Sequence, residues 1–244
     1  MIGKGLLRTL VFSGLLLAGC AAELRVGELQ TESRSVAPQH AESIRVEIEL
    51  GAGDLEVSAG ADELLEADFA YNVAALRPEV EFSNRTLSVR QPGAKGLPVL
   101  QDVGSFQNAW DLRLSDAVQM DLLVDVGAGE IDLQLAGLSL TTLGLGLGAG
   151  EGTVDLTGEW TRDVDVTVDV GAANIRLLLP EKTGVRVETE VGPTLITTSG
   201  LMKDGKIYTN GAYGVSDVTL YISIDAGIGQ VRLDVVEAGA RSAH

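Results

Sequence analysis

The sequence predicts an all-β chain, a stacked β-solenoid-like repeat with rungs of about 21 to 23 residues. Two observations carry that expectation. The first is period-two alternation: in Asp163-Val164-Asp165-Val166-Thr167-Val168-Asp169-Val170 every even position is valine and every odd one is Asp or Thr, a pattern that only a strand with one buried face explains. Val185, Val187 and Val191 alternate with Arg186, Glu188 and Glu190 in the same way, and Val218, Leu220, Ile222 and Ile224 alternate with Thr219, Tyr221, Ser223 and Asp225. The second is a small-residue turn where one strand ends and another begins. It recurs as Gly51-Ala52-Gly53-Asp54, Gly127-Ala128-Gly129-Glu130, Gly148-Ala149-Gly150-Glu151, Gly171-Ala172-Ala173-Asn174 and Gly227-Ile228-Gly229-Gln230, with Gly192-Pro193-Thr194 as a degenerate sixth copy. From Gly127 through Gly148 and Gly171 to Gly192 the leading glycines are spaced by 21, 23 and 21 residues. Two strands of about seven residues and two turns fill that period. Sustained helical periodicity is absent, and the locally helix-like Asp62 to Phe69 is short and ambiguous.

Taken from the N-terminus, Lys4 and Arg8 precede an apolar run from Leu10 to Leu17 that is too short to span a bilayer core of about 30 Å. The run ends in Leu17-Ala18-Gly19-Cys20, which holds the only cysteine of the chain and resembles the lipobox of bacterial lipoproteins. That resemblance implies a signal peptide at 1–19, removal of it before Cys20, and fatty acylation of the Cys20 thiol. An ordinary signal peptide cut after Gly19 or Ala22 is the alternative. Residues 20–43 are polar and unpatterned and are expected to form a tether from the lipid. Residues 44–115 form an N-terminal portion, 116–236 the glycine-repeat stack, and 237–244 a tail.

Acidic residues number 35 against 18 basic. Without Lys4 and Arg8 the balance is 16 − 35, or −19, so nucleic acid and anionic lipid headgroups are poor partners. A single cysteine allows no internal disulfide. His40 and His244 fall outside every apolar-periodic segment, which argues against a histidine-dependent catalytic triad or a His/Cys zinc site. A phosphate-binding loop needs a glycine turn that runs into a helix, whereas strand patterns follow these glycines. No cofactor is expected.

Several residues stand out as candidates for binding. Glu130 and Glu151 occupy equivalent turn positions and would lie about 5 Å apart if the rungs stack in register, where a cation could bridge them. Solvent-exposed polar corners are the alternative, and the Asp-rich glycine nonapeptide of calcium-binding β-rolls is missing. Aromatic residues are few, so Trp160 at a strand end and Tyr221 on the polar phase of its strand are candidate partner contacts. The 35-residue gap from Gly192 to Gly227 contains an insertion. Lys203-Asp204-Gly205-Lys206 fits a hairpin turn leading to Tyr208, which makes Lys203, Lys206 and Tyr208 candidate docking residues. No pair among the many carboxylates is marked as catalytic.

Leu64-Leu65-Glu66-Ala67-Asp68-Phe69-Ala70-Tyr71-Asn72, Leu87-Ser88-Val89-Arg90-Gln91, Trp110-Asp111-Leu112-Arg113-Leu114, the glycine repeats, Leu179-Pro180 with Gly184-Val185-Arg186-Val187, and Asn210-Gly211-Ala212-Tyr213-Gly214 occur in that order. Together they resemble the toastrack-type β-repeat proteins of the bacterial cell envelope, a group that includes putative-adhesin domains and the C-terminal domain of cell-wall-active-antibiotics response proteins. The resemblance spans roughly residues 44–236 and implies an extracytoplasmic, non-enzymatic role linked to envelope-stress sensing, beside membrane-embedded partners. The expected function is therefore a lipid-anchored binding or assembly platform that engages an envelope protein. A glycan-binding adhesin is the alternative, and a polysaccharide hydrolase or lyase a third reading. By resemblance to sorted lipoproteins, Ala21, directly after Cys20, implies the outer membrane if the cell has one.

Metabolic labelling of growing cells with a fatty acid is expected to mark the processed chain that begins at Cys20. Cys20→Ala should abolish the label, and a label that persists in this variant would contradict the lipobox reading.

Overall fold

The computed structural model describes residues 25–38, 41–93 and 105–237. The expected signal peptide, Cys20, His40, His244 and residues 238–244 lie outside the described residues. Within them the strands are β1 (Gln30–Val36), β2 (Ser43–Ala59), β3 (Leu65–Tyr71), β4 (Glu79–Ser83), β5 (Thr86–Arg90), β6 (Asn108–Leu114), β7 (Gln119–Gln134), β8 (Ser139–Asp155), β9 (Val164–Pro180), β10 (Gly184–Val191), β11 (Thr194–Ser199), β12 (Met202–Asp204), β13 (Ile207–Thr209) and β14 (Thr219–Val236). A single 3₁₀ turn, Ala74–Leu76, is the helical element among them. The chain is thus all-β, and Leu65–Tyr71 within the helix-like stretch is a strand.

Strands β2, β7, β8, β9 and β14 lie side by side and parallel, in that order, and form the body of the stack. Each is a long strand with a glycine corner at its middle. In β7, Met120, Leu122, Val124 and Val126 are buried before the corner, and Ile131 and Leu133 after it. The buried positions therefore pass from even to odd across Gly127-Ala128-Gly129-Glu130. A strand running straight on would send Asp132 and Gln134 inward, whereas the corner turns the second arm so that both arms feed one hydrophobic cluster. Each fully buried Leu, Ile or Val stabilises the fold by about 1.5–3 kcal/mol.

The structure departs from the sequence expectation at these corners. They were expected to end one strand and begin another, but the register runs through them in step, with Val126 opposite Leu147, Ala128 opposite Ala149 and Gly129 opposite Gly150, and only the leading glycines left out of the pairing. Backbone packs directly on backbone there. A Cβ on Gly129, whose φ is 150°, would lie 1.7 Å from the Gly53 carbonyl oxygen of the neighbouring strand. Ala173 breaks the glycine pattern in β9; it keeps a negative φ and buries its methyl group.

Stacking order is a second departure. The regular spacing from Gly127 to Gly192 suggested that rungs follow one another as in sequence. Instead β14 lies between β9 and the rung formed by β10 and β11. Gly227 accordingly rests on Gly171, and Gly192 on Gly227. Pro193 fits this outer place. Proline has no N–H for a ladder, so a rung that carries it suits the end of the stack better than a position with strands on both sides. The uninterrupted β14 takes the inner place, and the broken rung becomes the end.

Both ends of the corner stack are closed by side chains. The first arm of β2 pairs with β5 and its second arm with β6, so no rung backs its corner. In place of one, Gln91 Oε1 accepts from the Gly51 N–H at 3.1 Å, and Asn108 Nδ2 donates to the Ala52 carbonyl at 2.6 Å and to Gln91 Oε1 at 3.1 Å. The Trp110 indole N–H donates to Asn108 Oδ1 at 3.0 Å, and the Trp110 ring meets Phe69 edge to face. At the far end the Thr194 hydroxyl donates to the Gly227 carbonyl at 2.9 Å.

The insertion before β14 forms the expected hairpin, with Met202, Lys203 and Asp204 opposite Thr209, Tyr208 and Ile207. Buried Asn210 then ties the following loop to the stack. Its Oδ1 accepts from the Val185 and Tyr213 N–H groups, and its Nδ2 donates to the Pro180 and Thr183 carbonyls. The expected tether at 20–43 also needs correction, because Gln30–Val36 is an edge strand paired antiparallel with β3. Its side chains are nearly all polar and exposed, so no alternation marked it in the sequence.

Gly129→Ala is expected to lower stability by about 3 kcal/mol or more, or to prevent folding, because the methyl group meets a carbonyl in a ladder that cannot move aside. Gly205→Ala, at a hairpin tip with open space around it, should cost only about 1 kcal/mol. Urea denaturation of the two variants checks the contrast.

Candidate acidic binding trough

Register across the second arms brings together side chains far apart in sequence. One outward row runs Thr31, Ala70, Ala109, Asp54, Glu130, Glu151, Asn174, Gln230 and Leu195, from β1 to β11. The next outward row runs Ser33, Asp68, Asp111, Glu56, Asp132, Thr153, Arg176, Arg232 and Thr197. Neighbouring positions in a row are about 4.8 Å apart.

In the first row the short side chains of Ala70 and Ala109 leave a depression over β3 and β6. The result is an open trough of about 610 Å³. Asp54, Glu56, Asp68, Asp111, Glu130 and Asp132 line it, together with Thr31 and Ser33. Phe69, Trp110 and Leu55 bury their side chains on the opposite face, so they offer mainly backbone to the floor.

These carboxylates are sparsely compensated. Ser33 donates to Asp68, and Gln134 Nε2 donates to Glu56 at 3.0 Å, but among the described residues no ion pair reaches Asp54, Asp111, Glu130 or Asp132. Toward its other end the same row carries Arg176 and Arg232. There Asp234 accepts from Arg176 Nε at 2.8 Å and from Arg232 Nε at 2.7 Å. The outer face is therefore negative at the β3–β6–β2–β7 end and close to neutral at the β9–β14–β11 end.

Beside the trough, Arg77 clamps the edge strand by donating from Nε and a terminal nitrogen to the two Glu32 oxygens at 2.8 and 2.9 Å. Those hydrogen bonds, with smaller help from Arg34 and Tyr71 and against partial burial, hold the Glu32 carboxyl below its ordinary value of 4.5.

Glu130 and Glu151 are directly opposite each other on β7 and β8. The Asn174 amide reaches Glu151 at 3.4 Å, and the described residues hold no cluster of three or more His, Cys, Asp or Glu arranged for a metal. Of the expected partner contacts, Tyr208 is buried and lies beneath Lys203, whose ammonium is 5.2 Å from the ring centre. It is therefore core and unavailable to a partner. Trp160 is half-buried against the core and spends its indole N–H on the Leu156 carbonyl at 2.9 Å. Lys206 is exposed with Glu190 at 3.6 Å, and Tyr221 is 40% exposed between Asp165 and Arg186.

The sequence profile described as the N-terminal domain of toast_rack, DUF2154, matches residues 25–178, more than half of the chain. The chain belongs to the toast-rack family. The crystal structure of a putative cell adhesion protein from Clostridium sporogenes is 26% identical to this toast-rack chain. It superposes with a TM-score of 0.81 over 86% of this chain and 100% of that one. A putative adhesin from Bacteroides fragilis matches at 12% identity, over 84% of this chain and 97% of that one, with a TM-score of 0.35 that carries no argument. No curated protein matches the toast-rack chain. None of its described helices is long and apolar enough to cross a membrane.

Glu32 stabilises the attachment of β1 fully above about pH 4.5, and this contribution is lost as pH falls through its depressed folded-state value. Amide exchange in Gln30–Val36, corrected for intrinsic rates, should therefore accelerate as pH is lowered from 4.5 while β7 stays protected. Arg77→Ala should release β1 at neutral pH, and unchanged exchange in that variant would refute the clamp.

Proposed function

We propose that this toast-rack protein is a non-enzymatic, lipid-anchored protein of the bacterial cell envelope that works as a binding and assembly platform. The observation that carries the reading is the trough. Six carboxylates border a floor of backbone and small side chains, in a shape that accepts an extended basic segment of a partner protein. Lipidation at Cys20 would hold the chain at the membrane surface, and by resemblance the partner is an envelope protein in a stress-sensing pathway. The relative described as a putative cell adhesion protein supports a surface binding role.

Catalysis is disfavoured by geometry. Glycosidases place two carboxyl groups on opposite sides of the scissile bond, about 5 to 9.5 Å apart. Here Asp68, Asp111, Glu56 and Asp132 stand in one row on one sheet face and project the same way. They give neighbouring charges and no opposed acid and base.

Photo-crosslinking in cells from a probe at Ala70, in the floor of the trough, is expected to capture one recurring envelope protein. Asp68→Asn combined with Asp111→Asn should weaken that partner's binding about tenfold or more, and salt raised from about 0.05 to 0.5 M should weaken it further. Capture of no protein, with the chain retained on cell-wall glycan, would replace this reading with a glycan-binding adhesin. Turnover of glycan by the purified protein would overturn the non-enzymatic assignment.

A further inference from the structure

Four strands form the edges of the described sheet: β1, β4, β11 and β12. An open edge exposes unpaired N–H and C=O groups that another strand can take up, and proteins guard such edges with charge, shortness or a covering element. Three of the four are guarded. Strand β1 carries Glu32 and Arg34 in register with Phe69 and Ala67, on the core-facing side. Strand β4 carries Glu79 and Glu81, and β12 is three residues long with Lys203 and Asp204.

The fourth edge, β11, has the sequence Thr-Leu-Ile-Thr-Thr-Ser, with no charge and no proline, and no strand among the described residues covers it. The companion arm of the same rung, β10, is covered by the β13–β12 hairpin. At the start of β11 the stack also exposes apolar side chains: Leu195 is 61% exposed and Ile228 64%, with Val191 beside them. The buried Thr197 hydroxyl has no hydrogen-bond partner.

We infer that β11 is a self-association edge, at which two copies of this chain pair their β11 strands antiparallel across a two-fold axis and continue the sheet from one molecule into the other. Charge selects a second copy as the occupant. A chain of formal charge −17 repels itself over most of its surface, yet this edge strand is neutral. Beside it Asp234 is held by Arg176 and Arg232, and Glu190 has Lys206 near it. Pairing of β11 with β1 of another copy would bury Glu32 and Arg34 against an apolar edge, which disfavours an open filament. In the two-fold arrangement each strand offers the other the same donors and acceptors, and the exposed Leu195 side chains lie within the contact. The inference does not depend on the acidic trough, which lies at the opposite end of the sheet.

Sedimentation equilibrium of the full chain carrying Cys20→Ser tests it. The expected mass is twice 25.5 kDa, or 51 kDa, at about 100 µM chain. Leu195→Lys and, independently, Thr198→Lys should each return the mass to that of one chain, with circular dichroism unchanged, because both side chains are already exposed. Ser33→Lys on β1 should leave the dimer intact. A single-chain mass for the unsubstituted protein at that concentration would overturn the inference. So would a dimer that survives both lysines, or one that only Ser33→Lys dissociates.

Discussion

Everything in this molecule follows from backbone lying on backbone at the glycine corners. Where Gly129 sits over the Gly53 carbonyl there is no room for a side chain, so successive strands stay close through the bend and the ladder resumes in the same register beyond it. That continuity sets the register of both arms together. One register places Val, Leu and Ile of every rung in a common core, and the same register aligns the outward residues into rows. The carboxylates that β2 and β7 give to the trough, and the arginines at the other end, are thus by-products of the corner, since they lie three or five residues after its leading glycine. A one-residue slip at any corner would reverse the faces of a whole arm.

A stack held by such contacts has a problem only at its ends, where corner groups lose their neighbours. The two ends solve it differently. At β2 the sheet divides, and the amides of Gln91 and Asn108 take the place of a missing rung, with Trp110 locking Asn108 in position. At β10 and β11 the rung itself is degraded by Pro193 and closed by the Thr194 hydroxyl. The first end is divided between two sheet extensions whose edges bear charge; the second covers one arm and leaves the other bare. The asymmetry explains why one end offers a charged surface and the other a plain strand edge.

Much of this was legible in the residues. Alternating valine and aspartate in 163–170 and the recurrent glycine corners were enough for the fold class, and equal offsets from the corner were enough to put Glu130 beside Glu151. What escaped was whatever depends on which strand neighbours which. Asp68 and Asp111 reach the trough from β3 and β6, outside the repeat, so no spacing linked them to Asp54 or Asp132. Nothing in Thr31 or Ser33 marked a strand, because β1 is held by backbone pairing and the Glu32–Arg77 clamp rather than by burial of its own side chains. Tyr208 looked like a surface aromatic because its hairpin was recognised before the core beneath it could be. Pro193 was visible as a departure, but that its rung would form the end of the stack required knowing that β14 was available to replace it.

The intercalation of β14 also bears on the order in which the protein can be completed. Thr219–Val236 occupies an inner place, while β10 and β11, which precede it in the chain and are made earlier, rest on it from outside. A chain emerging N-terminus first can stack β2, β7, β8 and β9 as they arrive, but then the next rung has nothing to dock on. It must wait, exposed, until β14 has been delivered and threaded against β9. A chain truncated before β14 would therefore present both an open β9 edge and an undocked rung, so an unfinished molecule is distinguishable from a finished one by its surface alone.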